Sequence, residues 1–362
     1  MRPMIDGHLD LAMNLVYYDR DITLPLAEMN RQESGLTDQK FRGRGTVSLP
    51  EMRRGGVGVC LATLLARSGP RHQRSAEYRR ADLDFASPEG AYACARAQLG
   101  FYDLMEERGE LRRLRTSDDL RDHWRRWSQD DNHDSTPIGI ILSVEGADPI
   151  PGPESLEQWV RWGVRAIGLS HYGPGRYAAG TGTEGGLTDL GKEMLAAMRA
   201  LGVALDVTHL ADEAMEQAFE LYEGPIWASH HNCRSLVDWD RQLSDEQIKN
   251  LIARDGVIGL AFDAIMLLPG WRRGISSCEE LSIERAADHV DHIAQLAGTT
   301  RHCAIGTDLD GGYGWEQTPR ELKSIVDVHR LEATFERRGY SAADIDGIFW
   351  GTWLRKRSET LP

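Results

Sequence analysis

Eight short apolar runs, separated by stretches with the apolar repeat of a helix, succeed one another along this chain, and that alternation constrains its fold more than any other feature. The runs are Met4–Asp10, Val57–Leu65, Ile138–Glu145, Val164–His171, Val203–His209, Pro225–His230, Val257–Phe262 and His302–Asp308. Strands that alternate with helices build a parallel sheet covered by helices. Eight such units predict an α/β fold of the (β/α)8 TIM-barrel type, with an open doubly wound sheet as the alternative. Helix signals fall between the runs. Thr188 caps a segment that places Met194, Leu195, Met198 and Leu201 on one face and stops at Gly202. A second helix runs from about Asp212 and buries Met215, Phe219 and Tyr222. Ser244 and Gln247 form a capping box ahead of Ile248, Leu251 and Ile252.

Two connections, residues 11–56 and 66–137, are too long for simple loops and predict insertions after the first and second strands. The second is read as peripheral helix and solvated loop around Trp124, Arg125, Arg126 and Trp127. With 362 residues and no linker or internal repeat, the chain is expected to form one domain over 1–362. Its net charge of −14 argues against nucleic acid or an anionic membrane as the main partner. There is no apolar run long enough for a membrane helix and no CxxC pair among the five cysteines, so a cytoplasmic protein without a membrane anchor is expected.

Most of the runs end in a side chain able to bind a metal. His8 and Asp10 stand two residues apart on one strand face, Glu145 ends the third run, His171 the fourth, His209 the fifth, His230 the sixth and Asp308 the eighth. Strand C-termini form the active face of an α/β barrel, so these groups are expected to converge. A nitrogen and oxygen donor set of this size suits zinc or a similar divalent ion, and its surplus over one ion's needs favours two. None of the five lysines ends a run, which leaves Glu145 as the expected bridge. A water shared by two such ions would ionise near neutral pH and could attack an amide or ester bond.

Six motifs then stand in order: His8-Leu9-Asp10, Ser143-Val144-Glu145-Gly146, Gly185-Gly186-Leu187-Thr188-Asp189-Leu190-Gly191, Leu205-Asp206-Val207-Thr208-His209, Ala228-Ser229-His230 and Gly306-Thr307-Asp308-Leu309-Asp310-Gly311. Together they resemble the membrane (renal) dipeptidase family, a binuclear-zinc branch of the amidohydrolase barrels. The resemblance implies two Zn2+ ions, one bound by His8 and Asp10, the other by His209 and His230, with Glu145 bridging them. It implies that His171 contacts the substrate carbonyl and that Asp308 relays a proton to the leaving amine. Arg241 would hold the C-terminal carboxylate of a dipeptide, possible stereochemistry at that residue including D, and a homodimer is also implied. Arg234 is a second basic candidate for substrate binding, its alternative being a salt bridge beside the mouth.

Two departures stand out. Leu9 replaces the Asn usual between the first ligands, and Tyr172-Gly173-Pro174-Gly175-Arg176-Tyr177-Ala178-Ala179-Gly180 replaces the family's pocket-shaping segment. The second motivates an alternative substrate: another amide, a lactam or an N-acyl amino acid. A metal-stabilised binding protein without activity is a third reading. Periodicity does not choose between His230 and His231; the resemblance selects His230. Asp288, His289, Asp291 and His292 are read as a solvated helix face, His72, His123, His133 and His329 as surface residues, and His302 as structural. Cys60 and Cys303 are read as core filler.

Overall fold

A computed structural model of the chain describes residues 1–68, 84–130 and 132–362. Every apolar run contains a strand: β1 Met4–Leu9, β2 Val57–Leu65, β3 Ile138–Glu145, β4 Val164–Gly168, β5 Ala204–Asp206, β6 Ile226–Trp227, β7 Ile258–Leu260 and β8 Cys303–Ile305. β1 to β6 pair in parallel and in sequence order. That order has no reversal point, which removes the doubly wound alternative. β7 and β8 form their own parallel pair, joined to β6 by a single bridge between Ala228 and Ile258. The fold is therefore mixed α/β, with a curled parallel sheet.

Its strands differ in length. β2 and β3 span nine and eight residues and are buried throughout, as central parallel strands must be. From β4 onward each strand covers five residues or fewer. The chain then leaves extended geometry, and His209 and Asp308 adopt positive φ values of 69° and 56°. Such conformations cost energy in a non-glycine residue and collect at functional positions.

Helices cover the outer face as expected. Thr188 caps Asp189–Ala200 by accepting from Gly191 N, and the capping box of Ser244 and Gln247 opens Asp245–Ala253. The insertion after β1 carries helices Leu11–Tyr18, Leu26–Gln32 and Leu49–Arg54. The one after β2 carries Pro88–Glu107, Ser117–Gln129 and an unexpected short strand, Leu111–Arg113, on the edge of β3. Trp124 and Trp127 in that insertion are buried, not solvated. The void between its helix and β2 is filled by the Trp127 indole, which lies against Gly58 where a Cβ would clash at 2.7 Å.

Three further histidine readings need correction. His123 is buried and bonds the Gly58 carbonyl at 2.8 Å. His289, placed on a solvated face, is buried and accepts from Cys233 N at 3.0 Å. His329 is partly buried between Gly55 O and Glu332. The rest of the expected solvated face pairs with its surroundings: Asp288 and Asp291 with Arg338, and His292 with Asp245. His302 packs against Gly256 O, and Cys60 and Cys303 are buried. His133 is half-buried and stacks on Trp127, while His72 lies outside the described residues.

Candidate metal centre and substrate cavity

At the C-terminal ends of the strands, ring nitrogens and carboxylate oxygens from six segments meet. Glu145 stands at the middle. Its Oε1 lies 3.2 Å from His209 Nε2, 3.3 Å from His230 Nε2 and 3.8 Å from His171 Nε2, while its Oε2 lies 3.4 Å from His8 Nε2. His8 Nε2 is in turn 3.8 Å from Asp10 and 4.0 Å from Asp308. Donor atoms in three overlapping triads fall within 4.8 Å of one another: His8, Glu145 and His230; Glu145, His171 and His209; His8, Asp10 and Asp308.

Hydroxyls behind the rings hold them in place. Ser229 Oγ is 2.9 Å from His230 Nδ1 and 3.4 Å from His8 Nδ1, and Thr181 Oγ1 is 3.2 Å from His209 Nδ1. In the tautomer whose Nδ1–H donates to these hydroxyls, Nε2 would turn a lone pair toward the centre, as a metal ligand needs. Asp10 is held by the Thr63 hydroxyl. His231, the neighbour of His230, turns away and bonds Arg241 O at 2.6 Å.

The centre is electrostatically incomplete. Burial raises the Glu145 and Asp308 carboxyls and holds the His209 and His230 imidazoles well below the usual range. Burial also opposes charge on His8, but the Glu145 and Asp10 carboxylates outweigh it and raise that ring. His8 Nε2 and Glu145 Oε2 are buried without a hydrogen-bond partner. Orphaned atoms of this kind are rare in folded proteins. A divalent cation would satisfy both, and the nitrogen and oxygen donors fit one.

Over the centre lies a cavity of about 270 Å³. Asp10, Glu145, His171, His209 and Asp308 line its floor. Met13, Tyr18, Phe41 and Leu65, which pack as one apolar cluster, form one wall. Tyr172, Arg241, Asp263 and Arg273 belong to the other. Arg241 is buried; its Nη2 donates to His230 O at 2.9 Å and its Nη1 has no partner. Arg234 is elsewhere: its guanidinium pairs with Asp212 at 2.7 Å and it does not line the cavity, the salt-bridge alternative.

Sequence reasoning missed Arg67, whose Nη1 donates to His171 Nδ1 at 3.3 Å, and Arg273. Arg67 lies two residues past the end of β2, where a strand-end signal that counts basic side chains as well as histidines and carboxylates reaches it. Within the divergent segment, Arg176 and Tyr177 do not line the cavity. Arg176 caps carbonyls of Asp148, Ile150 and Pro151, and Tyr177 bonds Ile150 O.

A parallel-strand α/β protein with a nitrogen and oxygen donor cluster at its strand ends has the frame of a metal-dependent enzyme. The family model described as Membrane dipeptidase (Peptidase family M19) matches residues 1–360, and the chain belongs to that family. It is 26% identical to an uncharacterized dipeptidase of Schizosaccharomyces pombe over 99% of this chain and 81% of that protein. It is 27% identical to the dipeptidase aclJ of Aspergillus oryzae over 62% of this chain and 52% of that one. Among solved structures, a metallopeptidase of Rhodobacter sphaeroides, liganded with a phosphinate mimic of the dipeptide L-Ala-D-Ala, superposes with a TM-score of 0.78 at 24% identity. That match covers 100% of this chain and 99% of the other. The protein is thus a metallo-dipeptidase, a metal-binding hydrolase of dipeptides. No helix among the described residues is long and apolar enough to cross a membrane.

Proposed function

We propose that the chain is a single (β/α)8-barrel domain that cleaves dipeptides with two zinc ions at its strand ends. Barrel closure is supported by Asp308 N donating to His8 O at 3.3 Å and by Asp6, in β1, accepting from Thr307 N at 2.9 Å. His8 and Asp10 would hold one ion and His209 and His230 the other, with Glu145 shared between them. The carrying observation is that both oxygens of Glu145 are flanked by Nε2 atoms of different strands, with His8 Nε2 and Glu145 Oε2 left unpartnered. When bound, such a pair polarises the scissile carbonyl and supplies a nucleophilic oxygen at neutral pH.

The chain's own residues do the rest. Arg67 accounts for one ring nitrogen of His171, so that the other, Nε2, faces the cavity as a donor to the carbonyl oxygen of the substrate. Asp308 opens onto the cavity beside His8 and carries the proton to the departing amine. Arg241 Nη1 receives the C-terminal carboxylate, which fixes the peptide bond at a set distance from the centre. Five buried free thiols suit a reducing compartment, and we place the protein in the cytoplasm.

Zinc-loaded protein is expected to hydrolyse a panel of dipeptides, some with a D-residue at the C-terminal position, while chelator-treated protein is not. Equal rates in the two preparations would refute the metal-dependent reading. An Arg241→Met variant separates the substrates. Its dipeptide KM should rise at least ~10-fold, the loss of a charge-assisted pair. A KM that stays put would favour neutral amides, the reading that the divergent 172–180 segment motivates.

A further inference from the structure

The chain carries a net charge of −14, yet its substrate cavity and the space beside it gather cations, the exposed Arg273 and Lys40 among them, that form no ion pair within 4 Å among the described residues. Three arginines line the inner cavity. Arg67 is tied to Asp84 at 2.6 Å, and Arg241 to His230 O. Arg273 differs. Its Nε donates to Gln317 Oε1 at 3.0 Å, and the buried Gln317 is itself pinned by donating to Asp263 at 2.8 Å. The guanidinium is therefore held at one edge, while both Nη groups make no hydrogen bond or ion pair among the described residues.

Arg273 also lines a second, outer cavity of about 860 Å³, which shares Gln39, Phe41 and Gly312 with the inner one. Lys40 and Arg44 line that outer space, and neither has an ion-pair partner among the described residues; Arg44 stacks over Trp315 at 5.3 Å. Of the carboxylates there, Asp38 is already paired with Arg42 at 2.7 Å, while Glu316 accepts from Gly314 N through Oε1, its Oε2 being buried without a hydrogen-bond partner. Asp263 lines the same cavity and feels both Arg241 and Arg273, so the two guanidinium groups stand around one carboxylate, in a space that the apolar cluster of Met13, Tyr18, Phe41 and Leu65 also lines.

We propose that Arg273 reads a second carboxylate, on the side chain of the substrate's C-terminal residue, so that the preferred substrates are dipeptides with an apolar first residue and an acidic second one. This rests on the dipeptidase reading and narrows it. A guanidinium fixed by its Nε keeps its two Nη groups as a preset fork for a carboxylate, which lowers the entropy lost on binding. Lys40 and Arg44 extend the positive field outward, raising the local concentration of an anionic substrate around an otherwise acidic protein.

The test compares Leu-Glu with its neutral isostere Leu-Gln. Wild-type enzyme should show a kcat/KM ratio of at least ~10 in favour of Leu-Glu, falling below ~3 in Arg273→Gln. Calorimetric titration of the same two peptides reads the preference without turnover. If neither peptide is cleaved but Leu-Glu still binds more tightly through Arg273, the dipeptidase reading fails and the carboxylate-reading role stands. If both are cleaved and bound equally well, this inference alone is overturned. It is equally overturned if Arg273→Gln weakens both peptides to the same extent, because Arg273 would then hold the terminal carboxylate itself.

Discussion

Two sets of buried carboxylates sit a few residues apart in this protein, and they are built on opposite plans. Asp6, Asp206 and Asp310 each accept hydrogen bonds from three donors, those of Asp206 all on Oδ1. Asp6 accepts from His8 N, Thr307 N and Thr307 Oγ1; Asp206 from Thr208 N, Thr208 Oγ1 and Ser229 N; Asp310 from Thr46 N, Thr46 Oγ1 and Val47 N. Glu145 and Asp308, by contrast, face imidazole nitrogens, and Glu145 Oε2 has no partner. Burial raises the carboxyls of Asp6, Asp310, Glu145 and Asp308 alike, so an upward shift does not separate the two sets. The supply of donors does. Carboxylates that accept from several donors join backbone segments; those short of donors among convergent imidazoles mark the place of a cation.

Removing the charge of Glu145 breaks that contrast most severely. Glu145→Gln should lose at least ~10³-fold in kcat/KM, because several kcal/mol of metal-derived stabilisation depend on the bridge. Its apo form should melt no lower than apo wild type, since a neutral amide costs less to bury than a carboxylate, and zinc should no longer raise its Tm. A variant that still gains stability from zinc would show that Glu145 is not a ligand. Asp308→Asn comes next: zinc content by elemental analysis stays at the wild-type value while the rate falls by ~10²-fold. Loss of zinc would instead place Asp308 among the ligands.

Asp310→Asn tests the donor-bonded set and reverses the pattern. Asparagine tolerates the positive φ of 62° at this position, so the change isolates charge and hydrogen bonding. It should cost about 2–4 kcal/mol in denaturant unfolding with zinc content unchanged, because the donors of Thr46 and Val47 and the nearby Arg20 lose their anion. A normal stability with lost zinc would erase the distinction drawn between the two sets.

Much of this was legible in the sequence, for identifiable reasons. Strands buried on both faces read as continuous apolar runs, which is why β2 and β3 match their expected ranges to the residue. The histidines and carboxylates that meet at the strand ends stand out in sequence because a polar side chain at the end of such a run is conspicuous. What stayed hidden depends on distant chain segments. The positive φ of His209 and Asp308 leaves no mark in periodicity, and the strands before them end at Asp206 and Ile305, short of their apolar runs; six of the eight strands end early in this way. Arg234 and Arg241 lie seven residues apart with similar surroundings in sequence, yet only the fold brings Asp212 to one of them and the cavity to the other. His123 was read as a surface residue because the helix Ser117–Gln129 is rich in charge, though its buried side carries Leu120, Trp124 and Trp127.

The histidines extend the comparison, and here the expected effect is smallest. His123 is satisfied, its ring bonded to Gly58 O, whereas His8 at the centre keeps an unpartnered Nε2. Burial first, and then the nearby Arg112 and Arg126 against the opposing Gly58 bond, push the His123 imidazole down to about 4. An unfolded histidine titrates near ~6.5, so between that value and about 4 the unfolded chain binds the extra proton. The contribution of neutral His123 is complete above ~6.5 and is lost as the pH falls toward 4, at up to ~1.4 kcal/mol per pH unit. His123→Gln keeps a donor for Gly58 O but cannot titrate. Its stability deficit relative to wild type, measured by urea unfolding of the apo proteins, should therefore shrink by about 1 kcal/mol per pH unit below ~6.5. The site histidines titrate identically in both proteins and cancel in that difference. A deficit that stays constant from neutral to acid pH would mean that His123 titrates alike in the folded and unfolded chain, and that its buried bond does not hold the ring neutral.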